Sequence, residues 1–223
     1  SGTTEQTLEL QANGALGTGG VTLKGGTITF SAVPQVFSNA ITVTTGGVNS
    51  TSEIYANNVP VVLAGALDLQ GGATLEINQV YANNHLVILT QPSTGTGDLI
   101  IVRGALAISN TNQLPPGNLD RLTYGHLLLD GVSWEQFMSN RFRGYGTGTN
   151  QWQGATTFGW AARGTPLVIS TNGIPGFNPA TYTDVAGTNV YNYCNRSLYL
   201  GIDLTKDGQI YANAAITVAV DTV

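Results

Sequence analysis

Apolar and polar residues alternate along this chain in short runs, and glycines interrupt the runs. Val21-Thr-Leu-Lys-Gly-Gly-Thr-Ile-Thr-Phe30 has this form, and Ala40-Ile-Thr-Val-Thr-Thr45 repeats it before Gly46-Gly47. Leu67-Asp-Leu-Gln-Gly-Gly-Ala-Thr-Leu-Glu-Ile77 and Asp98-Leu-Ile-Ile-Val-Arg-Gly-Ala-Leu-Ala-Ile108 follow. A period of two places successive side chains on opposite faces of a strand. Strands of about five residues, broken by glycine turns every 8–12 residues or so, specify an all-β chain. Helical spacing is confined to a short stretch around Ser133 to Met138.

Such strands can pair as hairpins, giving an antiparallel β-sandwich, or turn at corners and stack in parallel as a β-solenoid. Internal repetition favours the solenoid. Val36-Phe-Ser-Asn-Ala-Ile-Thr-Val43, Ile54-Tyr-Ala-Asn-Asn-Val-Pro-Val-Val-Leu63, Val80-Tyr-Ala-Asn-Asn-His-Leu-Val-Ile-Leu89 and Ile210-Tyr-Ala-Asn-Ala-Ala-Ile-Thr-Val-Ala-Val220 share one order. Each reads β-branched, aromatic, small, Asn, then an alternating strand. Phe37, Tyr55 and Tyr81 are 18 and 26 residues apart, spacings that fit one coil. In that alignment Asn39, Asn57, Asn83 and Asn213 are expected to form an amide ladder at one corner. The competing account is that Asn favours turns on its own.

Composition narrows the function. Only 9% of residues are charged, against about 25% in an average soluble protein. Net charge is -5 and Lys occurs twice, at Lys24 and Lys206, so no basic footprint for nucleic acid exists. No apolar run approaches the roughly 18 residues of a membrane helix. The one cysteine, Cys194, excludes an intrachain disulfide and reads as a small apolar residue, and His85 and His126 stand too far apart for a zinc set. A neutral Thr, Ser, Asn and Gly surface suits an assembled or anchored protein outside the cell. A start at Ser1 without a signal peptide reads as a piece of a longer precursor.

These residues also carry a resemblance. Gly17-Thr-Gly-Gly-Val-Thr-Leu-Lys-Gly-Gly-Thr-Ile-Thr-Phe30 resembles the autotransporter-associated β-strand repeat, and Val36–Val43 is similar to that family's strand before the next glycine corner. Phe158-Gly-Trp-Ala-Ala-Arg-Gly-Thr-Pro-Leu-Val-Ile169 is similar to a segment of long bacterial surface proteins with this repeat, and Leu198–Leu204 resembles the repeat restarting. The resemblance covers about two-thirds of the chain. It implies a right-handed parallel β-helix displayed at the cell surface.

Residues 134–160 depart from the repeat. They hold Trp134, Trp152 and Trp160, with Phe142, Tyr145, Arg141 and Arg143. Three readings stay open here: a small core beneath a loop, a subunit contact, or a stacking platform for glycans. Hydrolysis of a polysaccharide needs two carboxylates facing one groove, and no two share a spacing that sets them together on a solenoid face. Asp203-Leu-Thr-Lys-Asp-Gly-Gln-Ile210 resembles part of a calcium loop but has Ala214 where the bidentate Glu belongs, so a turn explains it equally. His85 falls where an equivalent strand has Val59 and reads as a surface or edge residue. No Gly-x-Ser-x-Gly elbow occurs. Asn49 and Asn195 fit the glycosylation sequon.

The expectation is one domain over 1–223, a right-handed parallel β-helix with an irregular aromatic insert at about 115–160. It has no catalysis, cofactor or metal. Its partner is itself, with surface glycans as a further candidate. Residues Leu8 and Leu10 at one end, and Ile216, Val218 and Val220 at the other, are the expected assembly strands of a head-to-tail filament or layer at the cell surface.

Overall fold

The computed structural model describes residues 6–46, 51–78, 85–116, 120–122, 125–141, 152–154, 157–170, 183–185, 188–193, 196–201 and 216–219. They form an all-β structure built on three parallel sheets. The chain visits the sheets in rotation. A partial first circuit holds β1 (Thr7–Leu10) and β2 (Val21–Leu23). The next runs through β3 (Gly26–Phe30), β4 (Gln35–Phe37) and β5 (Ile41–Val43). Then come β6 (Thr51–Ala56), β7 (Pro60–Leu63) and β8 (Leu67–Leu69), and β9 (Thr74–Ile77), β10 (Leu86–Leu89) and β11 (Ser93–Gly95). The fourth full circuit has β12 (Asp98–Ile101), β13 (Ala105–Ile108) and a 3-10 turn at Thr111–Gln113. The fifth has β14 (Asp120–Leu122), β15 (His126–Asp130) and the helix α1 (Trp134–Arg141). The sixth has β16 (Trp152–Gly154), β17 (Thr157–Arg163) and β18 (Leu167–Ser170). Beyond it lie β19 (Thr183–Val185), β20 (Thr188–Tyr193), β21 (Arg196–Gly201) and β22 (Ile216–Ala219).

The first sheet runs β1-β3-β6-β9-β12-β14-β16, and the third β2-β5-β8-β11. The second runs β4-β7-β10-β13-β15-β17, then β21-β20-β19. All pairings between successive circuits are parallel. Among the described residues, antiparallel pairing occurs only between β19, β20 and β21. Hairpins therefore do not build the six circuits up to β18, and the antiparallel sandwich is excluded for these circuits; β19, β20 and β21 extend the second sheet as hairpins.

Register holds the core together. Ile28, Ile54, Ile77 and Ile101 lie beside one another in the first sheet and are at most 3% exposed. Phe37, Leu63, Leu89, Ile108 and Leu129 form the matching row in the second, and Leu23, Val43 and Leu69 in the third. These rows belong to one buried cluster. Leu86, Ala105, Ala107, Leu128 and Ala161, on the opposite face of the second sheet, are also buried. That sheet is apolar on both faces, as parallel sheets commonly are.

Glycine is required where circuits crowd. Gly26 has φ +100°, and a Cβ there would stand 2.7 Å from the Gln6 carbonyl oxygen. Gly104 has φ +65° and lies against the His85 carbonyl, 2.6 Å from where a Cβ would sit. Both combine a left-handed backbone with a close neighbour that a side chain would strike.

Two expectations change. Strands β14 to β17, inside residues 115–160, keep register with the circuits before them. That stretch therefore carries the rotation, and α1 is its described departure, close to the expected Ser133–Met138. The spacing of 18 residues between Phe37 and Tyr55 is not a circuit. Phe37 lies in the second sheet and Tyr55 in the first, and rows in these sheets repeat every 19 to 26 residues up to Leu129.

The rows differ sharply in what they contribute. Ile54→Ala empties a fully buried position and is expected to cost about 2–5 kcal/mol. Thr29→Ala, on the other face of the first sheet, is expected to cost under about 1 kcal/mol. Urea unfolding followed by circular dichroism checks the contrast.

Candidate functional site

The opposite face of the first sheet carries the groups with most chemistry. There Thr27, Glu53 and Glu76 lie side by side on β3, β6 and β9. Thr27 Oγ1 donates to Glu53 Oε2 at 3.0 Å, and Glu53 is only 7% exposed. The two glutamates occupy directly paired positions, about 4.8 Å apart along the stack. This corrects the expectation that no two carboxylates meet on a face. The sequence did carry the signal: Glu53-Ile54 and Glu76-Ile77 repeat one dipeptide at a circuit's spacing.

Tyr55, two residues beyond Glu53, packs its ring on His85 with centroids 4.8 Å apart. Asn58 N–H donates to His85 Nδ1 at 3.3 Å, and the Ala56 carbonyl lies against the same nitrogen. His85 is 0% exposed. It is level with Val59, as the repeat suggested, but it is a buried corner residue and not a surface one. The ring fills the bend between β6 and β7. Burial, with a smaller contribution from the Glu53 carboxylate, raises the Tyr55 phenol above its ordinary value. His126 begins β15 in register with Ala105 and is also buried.

The expected Asn ladder is not built as aligned. Asn39 Nδ2 donates to the carbonyls of Gly17 and Gly19. Asn57 Oδ1 instead accepts from Asn58 Nδ2 at 3.2 Å and from Tyr55 Oη at 3.5 Å. Asn39 follows a second-sheet strand and Asn57 a first-sheet strand, so they do not stack. Asn83 and Asn213 lie outside the described residues. Asn78, which the repeat alignment missed, does join two circuits: its Oδ1 accepts from Ala56 N–H at 2.9 Å.

The aromatic region resolves toward packing. Trp134 and Trp160 are 2% and 1% exposed, with ring centroids 5.1 Å apart in an edge-to-face arrangement. Phe137 closes the set at 5.7 Å from Trp134 and 6.1 Å from Trp160. These rings fill the core where α1 replaces a third-sheet strand, so neither tryptophan is free to stack on a glycan or a partner. Arg141 ends α1, and Trp152 begins β16. Phe142, Arg143 and Tyr145 lie outside the described residues, as do the Asp203–Ile210 turn, Cys194, Asn49 and Asn195.

A half-open cleft of about 240 Å³ lies between Gly131–Glu135 and Thr165–Val168, with Glu135 as its one carboxylate. The Ser133 hydroxyl caps α1 by accepting from Gln136 N–H at 3.2 Å, and the Gln136 side chain accepts from Ser133 N–H at 3.1 Å. Asp130 and Arg163, paired in register on β15 and β17, form an ion pair at 3.8 Å. Among the described residues, no group of three His, Cys, Asp or Glu side chains is placed to hold a metal ion. None of the described helices is long and apolar enough to cross a membrane.

Of the expected assembly residues, Leu8 and Leu10 lie on β1, the end strand of the first sheet among the described residues. Leu10 is buried at 4% exposed, whereas Leu8 is 45% exposed beside Ile28 at 1%. Val33 and Val36, at 50% and 46%, lie at the same end. Ile216 and Val218 lie in β22, which pairs in parallel with β18. Val220 lies outside the described residues. No family model, curated protein or solved structure matches this chain.

The Tyr55 environment has a pH consequence. A raised phenol pKa means the folded state holds this proton more tightly than the unfolded state, whose value is near 10. The stabilisation is complete below pH 10 and is lost as pH rises through the folded value. Wild type is therefore expected to lose melting temperature more steeply above pH 10 than Tyr55→Phe, while the pH dependence of the two coincides from pH 6 to 9.

Proposed function

We propose that this chain is a non-catalytic structural unit whose three sheets close into a right-handed parallel β-helix that stacks with further copies of itself. Right-handed closure is supported by the strong bias of parallel crossover connections toward that hand. The resemblance to autotransporter-associated strand repeats supports the same architecture and a place at the cell surface, as a subunit of a filament or surface layer.

One observation carries the assembly reading. Among the described residues, four large apolar side chains are exposed, and three of them, Leu8, Val33 and Val36, sit at the β1–β4 end of the stack. There Leu8 occupies the first place in the isoleucine row, next to Ile28. Among the described residues, β1 and β2 are the outermost strands of their sheets at this end, whereas the outward Val36 N–H of β4 is taken by Asn13 Oδ1 at 2.8 Å. An edge of this kind, uncharged at Leu8 and continuous with a buried row, is a template for another strand. Sparse charge adds little repulsion between copies. The burial of Trp134 and Trp160 removes two of the aromatics on which a glycan-binding reading rested.

Sedimentation velocity and negative-stain microscopy of the purified chain test this. The expected result is mass that grows with concentration and particles elongated along one axis. Leu8→Lys is expected to raise the concentration needed for association at least tenfold. It changes unfolding free energy by under about 0.5 kcal/mol, because that side chain is already half exposed. A wild-type chain that stays monomeric at millimolar concentration overturns the reading.

A further inference from the structure

We propose that the contact between copies forms on the third face, where β22 of one copy adds to the free edge of β2 in the next. The register is Ile216 beside Val21, Thr217 beside Thr22 and Val218 beside Leu23. This inference rests on the assembly reading above and specifies its interface.

Four observations lead to it. First, the elements that take the third place in the later circuits lead from β11 toward β22. Ser93 Oγ on β11 donates to the Gln113 carbonyl of the 3-10 turn, α1 neighbours both that turn and β18, and β18 pairs with β22. Among the described residues, β2 and β22 are thus end strands of two sheets that the 3-10 turn and α1 connect. Second, among the described residues β2 pairs on one edge, with β5. Val21 N–H donates to the Ala40 carbonyl at 2.8 Å, and the Leu23 carbonyl accepts from Thr44 N–H at 2.9 Å. In a parallel ladder the residue between them directs its own N–H and C=O the other way. Thr22 therefore directs its donor and acceptor to the outer edge, where no strand lies among the described residues.

Third, β22 repeats the strand that β2 already accepts. Its Ile216-Thr217-Val218 is identical to Ile41-Thr42-Val43 of β5, which pairs with Val21-Thr22-Leu23 in the chain. A copy of that tripeptide on the free side of β2 sandwiches Thr22 between two threonines. Fourth, β22 has a strand on one side only among the described residues. The two edges differ, so the contact is heterologous and propagates instead of closing into a dimer.

Cross-linking tests the pairing directly. Thr22→Cys and Thr217→Cys are made in separate chains, both with Cys194→Ser, then mixed and oxidised. Adjacent strand positions lie within the Cα separation a disulfide spans. The expected result is a two-chain band on a non-reducing gel from the mixture and from neither chain alone. Thr22→Pro provides a second measurement. It deletes the outward N–H while sparing the Val21 and Leu23 bonds to β5, and it is expected to raise the association concentration at least tenfold. If wild type assembles but the mixture gives no such band and Thr22→Pro assembles normally, this interface is wrong and the assembly reading stands. If wild type does not assemble at all, both fail.

Discussion

In-register parallel stacking is the constraint from which the rest of this structure follows. Each residue lies beside its counterpart one circuit away, so a row works only if all its members suit the same place. Ile28, Ile54, Ile77 and Ile101 satisfy this with one shape repeated. Circuit length is freer than row identity. The same four residues are 26, 23 and 24 positions apart, because corners absorb insertions that strands cannot. A one-residue slip within a strand would exchange its two faces, whereas an extra residue at a corner only widens a bend. Buried amides hold those bends. Gln35 Nε2 ties the carbonyls of Leu10 and Ser31, each at 2.7 Å, and joins the partial first circuit to the second. The Gln113 side chain accepts from Ser109 N–H at 2.7 Å at a later corner.

The same constraint explains the aromatic cluster. When a helix takes the place of a strand, the rows on that face are interrupted and the space beneath them changes. Strand side chains reach the core at a spacing that α1 cannot match. Trp134, Phe137 and Trp160 supply large, rigid volumes that meet across the gap, edge to face at Trp160. Their concentration between residues 134 and 160 is a packing requirement of that substitution, and their burial follows from it.

Strand type and parallel stacking were legible in the sequence because period-two alternation and glycine breaks report backbone geometry directly. The alignment of repeats was less so. The order β-branched, aromatic, small, Asn marks the approach to a bend, and bends follow strands in more than one sheet. Val36-Phe37 and Ile54-Tyr55 therefore look equivalent although they lie in different sheets. The neighbours along the stack were better marked by the shared Glu-Ile of β6 and β9. The level of His85 with Val59 was readable, but its burial was not, since a ring can fill a bend only when Tyr55 and the backbone around Asn58 meet it there. The burial of Trp134 and Trp160 depends on α1 replacing a strand, which periodicity in eight residues scarcely reveals.

A stack built this way has no natural terminus, and that links architecture to the proposed assembly. A strand inside a sheet is bounded on both sides, while an end strand carries the same groups with one side open. Protein edges are commonly blunted by charge, a proline or a covering loop. Here the place beside Ile28 holds Leu8, and Glu9, the nearest charge on β1, accepts from the Ser31 hydroxyl across the strand pair. Scarcity of charge does not make a contact at such an end imprecise. Partner choice in many interfaces rests on opposing charges, but a parallel strand contact is specified by the alternation of faces, because any odd slip buries threonine and exposes isoleucine or valine. A neutral, threonine-rich edge can therefore set register as strictly as an ion-paired one. It also weakens less with rising salt, since screening acts on exposed charges and not on backbone ladders or apolar rows.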